Sequence, residues 1–295
     1  MKNPDLPYWL ALVRFPKFGA MSLQRMMRAF PSMERAFNAS ALDLIEIGIK
    51  PAVANRFLQE RMHINPMEEY RRMMSEGVRA ITRKDNDYPT LLNELYDPPA
   101  VLFVRGELPS SDKKHLAVVG SRKATTYGHQ TVQTIVKPLA KSGVVIVSGL
   151  AYGIDALAHK TTVDVDGTTI AVLGCGVDQD SIYPSQNRTL ASHILASGGA
   201  LISEFPVGTA PLRHHFPFRN RVIAGLSHGT LVIEAALKSG SLITARSALE
   251  SGREVYAVPG DIHSPLSEGP NNLIKMGATP VTSADDIVNV NIQKN

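Results

Sequence analysis

LAVVG, at residues 116–120, is a short apolar run that ends in glycine, and six similar runs follow it along the chain. These are VVIVSG (144–149), TTIAVLG (168–174), ALISE (200–204), TLVIEA (230–235), EVYAVPG (254–260) and TPVTS (279–283). Their starts are about 24 to 32 residues apart, which is the length of a strand, a helix and a return loop. Because the runs are continuous, the strands should be buried on both faces. The pattern predicts an α/β domain over residues 116–290, with a doubly wound, mainly parallel sheet of six or seven strands.

The chain before this pattern divides into two segments. Residues 1–75 place apolar residues at helical spacing, as in SLQRMMRAF (22–30) and ALDLIEIG (41–48), with prolines between them. They predict a small all-α domain of four or five short helices. Residues 76–115 contain two β-like runs and several prolines, and they predict an extension strand and a linker.

The composition fits a globular protein. The 295 residues are 44 % hydrophobic and 20 % charged, and a length of about 150 residues per domain favours two domains. A formal charge of +4 is compatible with a polyanionic partner. The single cysteine, Cys175, excludes an internal disulfide and a cysteine-based zinc site. The apolar stretch before Arg14 is too short for a signal peptide core or a membrane span, so we expect a cytoplasmic protein without membrane insertion.

Three of the strand-like runs lead directly from glycine into a predicted helix, at Gly120, Gly149 and Gly174. In a parallel sheet these turns share the carboxyl edge, where open α/β folds bind ligands. Glycine permits close approach of the backbone, and helix N-termini offer free N–H groups to an anion. The turns therefore predict a phosphate-bearing ligand, although a tight turn alone also requires glycine. No GxGxxG or GxxxxGK[ST] motif is complete, so we expect no dinucleotide or ATP cofactor.

The densest group of cationic and aromatic residues is PLRHHFPFRNRVIAGLS, at residues 211–227. Its Pro211 and Pro217 argue against a regular helix there. Arginines interleaved with rings suit single-stranded nucleic acid, because arginine pairs with phosphate and rings stack on bases. The alternative is a structural loop in which a phenylalanine is buried and an arginine pairs with Glu204. The residues alone leave both interpretations open.

Other residue combinations do not make a convincing catalytic or metal site. His214 and His215 are adjacent, so their side chains would not converge on one metal ion. Cys175 is expected to be a small buried thiol, and Asp178 to have a capping or turn role. Glu234 follows a strand, at a place where a general base could lie. We expect no metal, no cofactor and no catalytic residue.

The motifs resemble those of the DprA family, also called Smf, whose members process DNA in natural transformation. The residues that carry the resemblance are VGSR (119–122), SGLAYGID (148–155), GCGVDQDSIYPSQN (174–187), SEFPVGTAPLRHHFPFRNRVIAGLS (203–227), EAALKSGSLITA (234–245) and GREVYAVPG (252–260). The helical segment is similar to the sterile-alpha-motif-like or helix-hairpin-helix-like domain of the family. Many members also have a C-terminal winged helix, and we expect none here.

The resemblance implies an extended Rossmann-like fold that binds single-stranded DNA without known catalysis. It also implies a homodimer that protects incoming DNA, displaces single-strand-binding protein and loads the recombinase RecA onto the strand. Arg122 would contact phosphate, Arg213 and Phe216 would grip phosphate and base, and Arg219 and Asn220 would shape the same pocket. The complete set of expected DNA-binding residues is Gly120, Ser121, Arg122, Gly149, Arg188, Arg213, Phe216, Arg219, Asn220 and Arg246.

An enzymatic alternative stays open. GLSHGTLVIEA (225–235) partly imitates the PGGxGTxxE motif of Rossmann-like phosphoribohydrolases, with Gly229, Thr230 and Glu234 aligned. Leu226 and Ser227 stand where that motif has glycines. A nucleotide-sensing module is a further alternative.

Overall fold

All seven predicted strand runs form strands, and two strands from the preceding segment join them in one sheet. The computed structural model describes residues 3–110 and 112–288. The strands are β1 (Arg79–Thr82), β2 (Val101–Gly106), β3 (His115–Val119), β4 (Val145–Ser148), β5 (Thr169–Leu173), β6 (Ala200–Ser203), β7 (Gly229–Val232), β8 (Glu254–Ala257) and β9 (Thr279–Pro280). Their order across the sheet is β1-β2-β6-β5-β4-β3-β7-β8-β9.

The order of the strands reverses beside β3. Strands β4, β5 and β6 follow on one side, and β7, β8 and β9 follow on the other, all of them parallel. This is a doubly wound, Rossmann-like sheet, as the sequence predicts. β2 pairs antiparallel with β6, with Phe103 opposite Ser203, and β1 pairs antiparallel with β2. The linker therefore extends the sheet from the predicted six or seven strands to nine.

The segment before the sheet is helical, with six α-helices where the sequence predicts four or five. They are α1 (Leu6–Arg14), α2 (Ala20–Ala29), α3 (Met33–Phe37), α4 (Ala41–Glu46), α5 (Pro51–Glu60) and α6 (Pro66–Ser75), with a 3-10 turn at Arg61–His63. Local sequence sets their starts. The Ser40 hydroxyl accepts from the Asp43 N–H and the Asp43 carboxylate accepts from the Ser40 N–H, which is a capping box for α4. Pro51 and Pro66 occupy the first positions of α5 and α6, where no N–H is required.

The other helices connect the strands. They are α7 (Thr90–Asn93), α8 (Thr126–Thr131), α9 (Lys137–Lys141), α10 (Ile154–Val163), α11 (Arg188–Ala196), α12 (His215–Gly225), α13 (Gly240–Glu250), α14 (Glu268–Lys275) and α15 (Asp285–Val288). A π-helical segment, Val132–Val136, joins α8 to α9, and a 3-10 turn, Ser185–Asn187, precedes α11. Residues 289–290, the end of the predicted α/β domain, lie outside the described residues. Among the residues that the structure describes, none of the helices is both long and apolar enough to cross a membrane.

The sheet is buried on both faces. On one face, Val172 lies in a hydrophobic cluster with residues of α12 and α13, among them Ile223 and Ala248. The next residue, Leu173, belongs to the cluster on the opposite face. On that opposite face Leu173 and Phe103 lie in the same hydrophobic cluster as Trp9 and Phe57 of the helical segment. The helical segment of residues 3–75 thus shares its core with the sheet.

Candidate nucleic-acid interface

The three glycine turns lie side by side. β3, β4 and β5 are adjacent and parallel, so Gly120, Gly149 and Gly174 follow their carboxyl ends along the same edge of the sheet. This arrangement is the one that the sequence predicts. α12 lies at the same edge, because His215 and Phe216 in its first turn pack onto the turn after β5. The Nδ1 atom of His215 lies 3.2 Å from the carbonyl oxygen of Gly174.

Arg219 closes the floor of this edge. Its side chain is buried, with the residue 5 % exposed, and its guanidinium donates to the carbonyl of Gly149 and, at 2.5 Å, to that of Val172. A side chain on residue 149 would collide with this guanidinium, which is why glycine is required there. Burial lowers the pKa of Arg219, and the opposite charge of Asp155 offsets part of that effect.

Asn220 is buried beside it and donates from Nδ2 to the carbonyl oxygen of Gly240, at 3.1 Å. Arg219 and Asn220 therefore join α12 to the β4 and β5 ends and to α13. Both side chains are buried, so they form the floor of the edge and Arg122 and Arg213 are exposed above it.

Phe216 is the centre of a cation and ring cluster that extends from the buried Arg219 to the exposed Arg122. The Arg122 guanidinium carbon lies 5.8 Å from the Phe216 ring centroid, and the Arg219 carbon lies 5.9 Å from it. The Tyr183 ring is 5.9 Å away at an angle of 47°. Phe216 is half-buried, whereas Arg122 is exposed. We call Arg122, Tyr183, Phe216 and Arg219 the carboxyl-edge cluster.

Ser121 holds the turn that carries Arg122. Its hydroxyl accepts from the Lys123 N–H at 3.0 Å and lies 3.1 Å from the Lys123 carbonyl oxygen, and the side chain is buried. The serine hydroxyl thus stabilises the turn from within, and the Arg122 side chain is exposed.

Arg213 lies three residues before Phe216 and is exposed. Within residues 3–110 and 112–288, no carboxylate pairs with its guanidinium. Phe218, two residues after Phe216, is 58 % exposed. An unpaired cation and exposed rings are the groups that phosphates and unstacked bases require.

The other two predicted arginines have partners. Arg188, at the start of α11, donates to the carbonyl of Asp180. Arg246 pairs with Glu250 at 2.9 Å along the exposed side of α13. No hydrogen bond, ion pair or ring contact among the described residues joins either of them to the carboxyl-edge cluster.

The prediction that residues 211–227 contain no regular helix is wrong. α12 spans His215–Gly225. Pro217 is tolerated because it lies in the first turn, where a backbone N–H has no helical acceptor. Each of the two interpretations of this segment applies to a different residue. Phe216 belongs to the carboxyl-edge cluster, as the nucleic-acid interpretation expects, whereas Arg221 pairs with Glu204 at 2.6 Å, as the structural interpretation expects.

Tyr183 is the member of the cluster that the sequence reasoning missed. It stands within GCGVDQDSIYPSQN, next to Pro184. The residue is 44 % exposed. An aromatic residue in a polar, turn-rich motif was the available signal.

The other candidate residues have structural partners. Both oxygens of the Glu234 carboxylate accept from Thr125: Oε2 from the N–H at 3.0 Å, and Oε1 from the hydroxyl. Because Glu234 is buried and its carboxylate is bonded to the loop before α8, the carboxylate is not open to a substrate.

Burial raises the pKa of the Cys175 thiol to about 11, which keeps it protonated at neutral pH. Asp178 accepts from Ser181 and from the Gly208 N–H, which is the expected turn role. Over the described part of the chain, no group of three metal-ligating side chains is found.

Comparison with known proteins identifies related sequences. The model of the family of DNA recombination-mediator protein A matches residues 79–291. Protein Smf of Escherichia coli (strain K12) is 52 % identical over 201 residues, which are 68 % of this chain and 53 % of that protein. The chain thus spans about half the length of that relative. Protein Smf of Synechocystis is 39 % identical over 293 residues, covering 98 % of this chain and 73 % of that protein.

Two solved structures are similar. DNA processing protein A (DprA) from Streptococcus pneumoniae superposes with a TM-score of 0.80 at 36 % identity, over 96 % of both chains. DNA processing protein A from Helicobacter pylori, which was studied for its mode of binding single-stranded DNA, superposes with a TM-score of 0.65 at 29 % identity. That match covers 73 % of this chain and 96 % of the other.

Proposed function

Since the chain belongs to the family of DNA recombination-mediator protein A and is similar to the DprA and Smf proteins, we propose that it binds single-stranded DNA and has no catalytic turnover of its own. The observation that carries this proposal is the carboxyl-edge cluster. There the Arg122 guanidinium lies over the Phe216 ring, and the exposed Arg213 stands three residues away in the chain. Phosphate and base are the two chemical groups that such a cluster recognises together.

A single strand fits these groups better than a duplex does. The ring of Phe216 is half-buried and those of Tyr183 and Phe218 are more exposed, so they offer faces or edges to bases that are not stacked in a helix. Arginine contacts with phosphate carry no sequence information. We therefore expect binding that tolerates any base sequence.

The finer parts of the proposal rest on family membership. We infer that the chain protects incoming DNA during transformation, displaces single-strand-binding protein and loads RecA, and that it does so as a cytoplasmic homodimer. Phosphate contacts at separate loops support this role, because a strand that is held without sequence readout can be handed to a filament. The test is RecA ATPase activity on strands coated with single-strand-binding protein, which should rise when this protein is added.

Binding itself is tested with a labelled oligo(dT) strand and a duplex of equal length at two salt concentrations. We expect tighter binding to the single strand. Arg122→Ala and Arg213→Ala should each weaken binding to strands of any sequence. Each should also reduce the slope of log K against log salt by about 0.7, the contribution of one phosphate on a single strand.

The matched control is Arg56→Ala, which removes an exposed arginine on α5 that is paired with Glu60 at 2.6 Å. It should leave both affinity and slope unchanged. Equal affinity for the duplex would contradict the proposal, and so would unchanged affinity and slope in both site variants. Release of free base from nucleoside monophosphates that is lost in Glu234→Gln would instead support the phosphoribohydrolase alternative. Nanomolar binding of a nucleotide without oligonucleotide binding would support a nucleotide sensor.

A further inference from the structure

The loop between β6 and α12, residues 204–214, contains Arg213 and leads into α12, whose first turn carries Phe216. We call it the β6–α12 loop. It has no helix or strand within residues 204–214. Its conformation therefore depends on contacts from other parts of the chain.

One such contact comes from the helical segment. Arg14, the last residue of α1, donates from Nη2 to the carbonyl oxygen of Val207 at 2.9 Å. The same guanidinium donates from Nε and Nη2 to Glu69 Oε2 on α6, at 2.9 and 2.5 Å. The Arg14 side chain is only 22 % exposed, so these bonds are partly shielded from water. Glu69 thus orients Arg14, and Arg14 holds the loop.

A second residue of α6 lies against the next position of the loop. Gly208 has a φ of +76°, and the Arg72 guanidinium occupies the place that a side chain at 208 would take. Glycine favours this positive φ, and any larger side chain at 208 would have to displace the Arg72 guanidinium. Residues of α1 and α6 therefore both contact the same turn, at Val207 and Gly208.

The opposite side of the turn is fixed by the loop after β5. The Gly208 N–H donates to Asp178 Oδ1 at 2.7 Å, and the Gly176 N–H donates to the Thr209 carbonyl oxygen at 2.9 Å. The Val207 side chain is buried in the cluster that the helical segment shares with the sheet. The turn is thus clamped between the helical segment and the carboxyl end of β5.

We propose that Arg14 is a positioning residue for the nucleic-acid interface: through its bond to the Val207 carbonyl it fixes the β6–α12 loop, which contains the exposed Arg213 three residues before Phe216. The inference rests on the proposed function. It gives the helical segment a role in DNA binding that requires no contact between that segment and the strand.

The first test uses the protein without DNA. Hydrogen exchange is compared in Arg14→Met, which keeps the length of the side chain but not its donors, and in Arg56→Met, which alters an arginine away from the loop. We expect faster exchange at the amides of Gly208 and Thr209 in Arg14→Met only. Unchanged exchange at these amides would overturn the inference, whatever the protein binds.

The second test is a double-mutant cycle on affinity for oligo(dT), with Arg14→Met, Arg213→Ala and the combined variant. Arg14→Met should weaken binding about 2- to 10-fold, the effect of one hydrogen bond. It should add nothing when Arg213 is already alanine, because the two residues act through one contact. A full additional loss in the combined variant would make Arg14 a phosphate contact in its own right and overturn the inference.

The two proposals fail in different ways. If Arg213→Ala leaves affinity unchanged, the proposed interface fails and the positioning role falls with it. If Arg213→Ala weakens binding and Arg14→Met does not, only the positioning role fails. Should Arg14→Met not fold, Glu69→Gln replaces it, since loss of the orienting carboxylate must produce a smaller effect in the same direction. No effect on loop exchange or affinity in that variant would likewise overturn the inference.

Discussion

His159 shows how one buried side chain fixes a loop at the proposed interface. It has 0 % exposure, its Nδ1 lies 2.7 Å from Thr169 Oγ1, and its Nε2 lies 3.3 Å from the backbone nitrogen of Leu150. Because the Thr169 hydroxyl donates to the Ile146 carbonyl at 2.6 Å, Nδ1 must carry the proton and Nε2 must accept. The neutral ring thereby holds Leu150, which has a φ of +54° immediately after Gly149.

This arrangement predicts a loss of stability in mild acid. Burial, with a smaller effect of the Arg219 charge, lowers the pKa of His159 to about 3, whereas the pKa of an unfolded histidine is about 6.5. As the pH falls, the unfolded chain takes up the proton first. The contribution of His159 to stability is therefore complete above pH 6.5 or so and is lost progressively as the pH falls toward 3. Burial lowers the pKa of His115 to about 4, which adds to the loss over the same window.

The measurement is the free energy of unfolding in urea at pH 7.5 and pH 5. His159→Gln should be less stable than the wild type at pH 7.5 and should lose less stability on acidification. His193→Gln, at an exposed position of α11, is the control and should follow the wild type. An identical pH dependence in His159→Gln and the wild type would contradict the assignment of the neutral ring.

At the scale of elements, the end of β7 supports the loop between β3 and α8. Glu234 follows β7 and accepts from both the N–H and the hydroxyl of Thr125, which caps α8. Glu234→Ala leaves these donors without their partner. We expect a loss of about 1.5–3 kcal/mol in the free energy of unfolding, the contribution of hydrogen bonds to a charged group.

Urea titration measures this loss. Glu250→Ala is the matched control, because Glu250 forms an exposed pair with Arg246 and should cost less than about 1 kcal/mol. Equal losses in the two variants would show that Glu234 has no special role in holding the loop.

The elements also show where sequence reasoning works and where it fails. The strands and the glycine turns are predictable, because buried parallel strands are continuous apolar runs and tight turns require glycine. α12 is not predictable in the same way, since Pro217 counts against a helix unless its position in the first turn is known. Nor does the sequence separate the buried Arg219 from the exposed Arg213. Burial depends on packing between β4, β5 and α12, which lie far apart along the chain.

At the scale of the whole molecule, the helical segment and the sheet are one packing unit. The length and composition favour two domains, but Trp9 and Phe57 lie in one hydrophobic cluster with Leu173 of β5 and Phe103 of β2. Arg14 adds a polar bond between the two parts. A covered sheet face of this kind loses its apolar contacts when the helices detach, so separate unfolding of either part is unfavourable.

We therefore predict a single cooperative unfolding transition for the chain. Trp9 is the only tryptophan, and it is buried in α1, so its fluorescence reports on the helical segment. Amide exchange in β4 and β5 reports on the sheet. Both should change at the same urea concentration. Phe57→Ala, which removes about 3–5 kcal/mol of core packing, should shift both midpoints together. Met62→Ala, at a position 84 % exposed in the same segment, should shift neither. If Phe57→Ala lowers the tryptophan midpoint while exchange in the sheet stays unchanged, the two parts fold independently, and the shared cluster does not couple them.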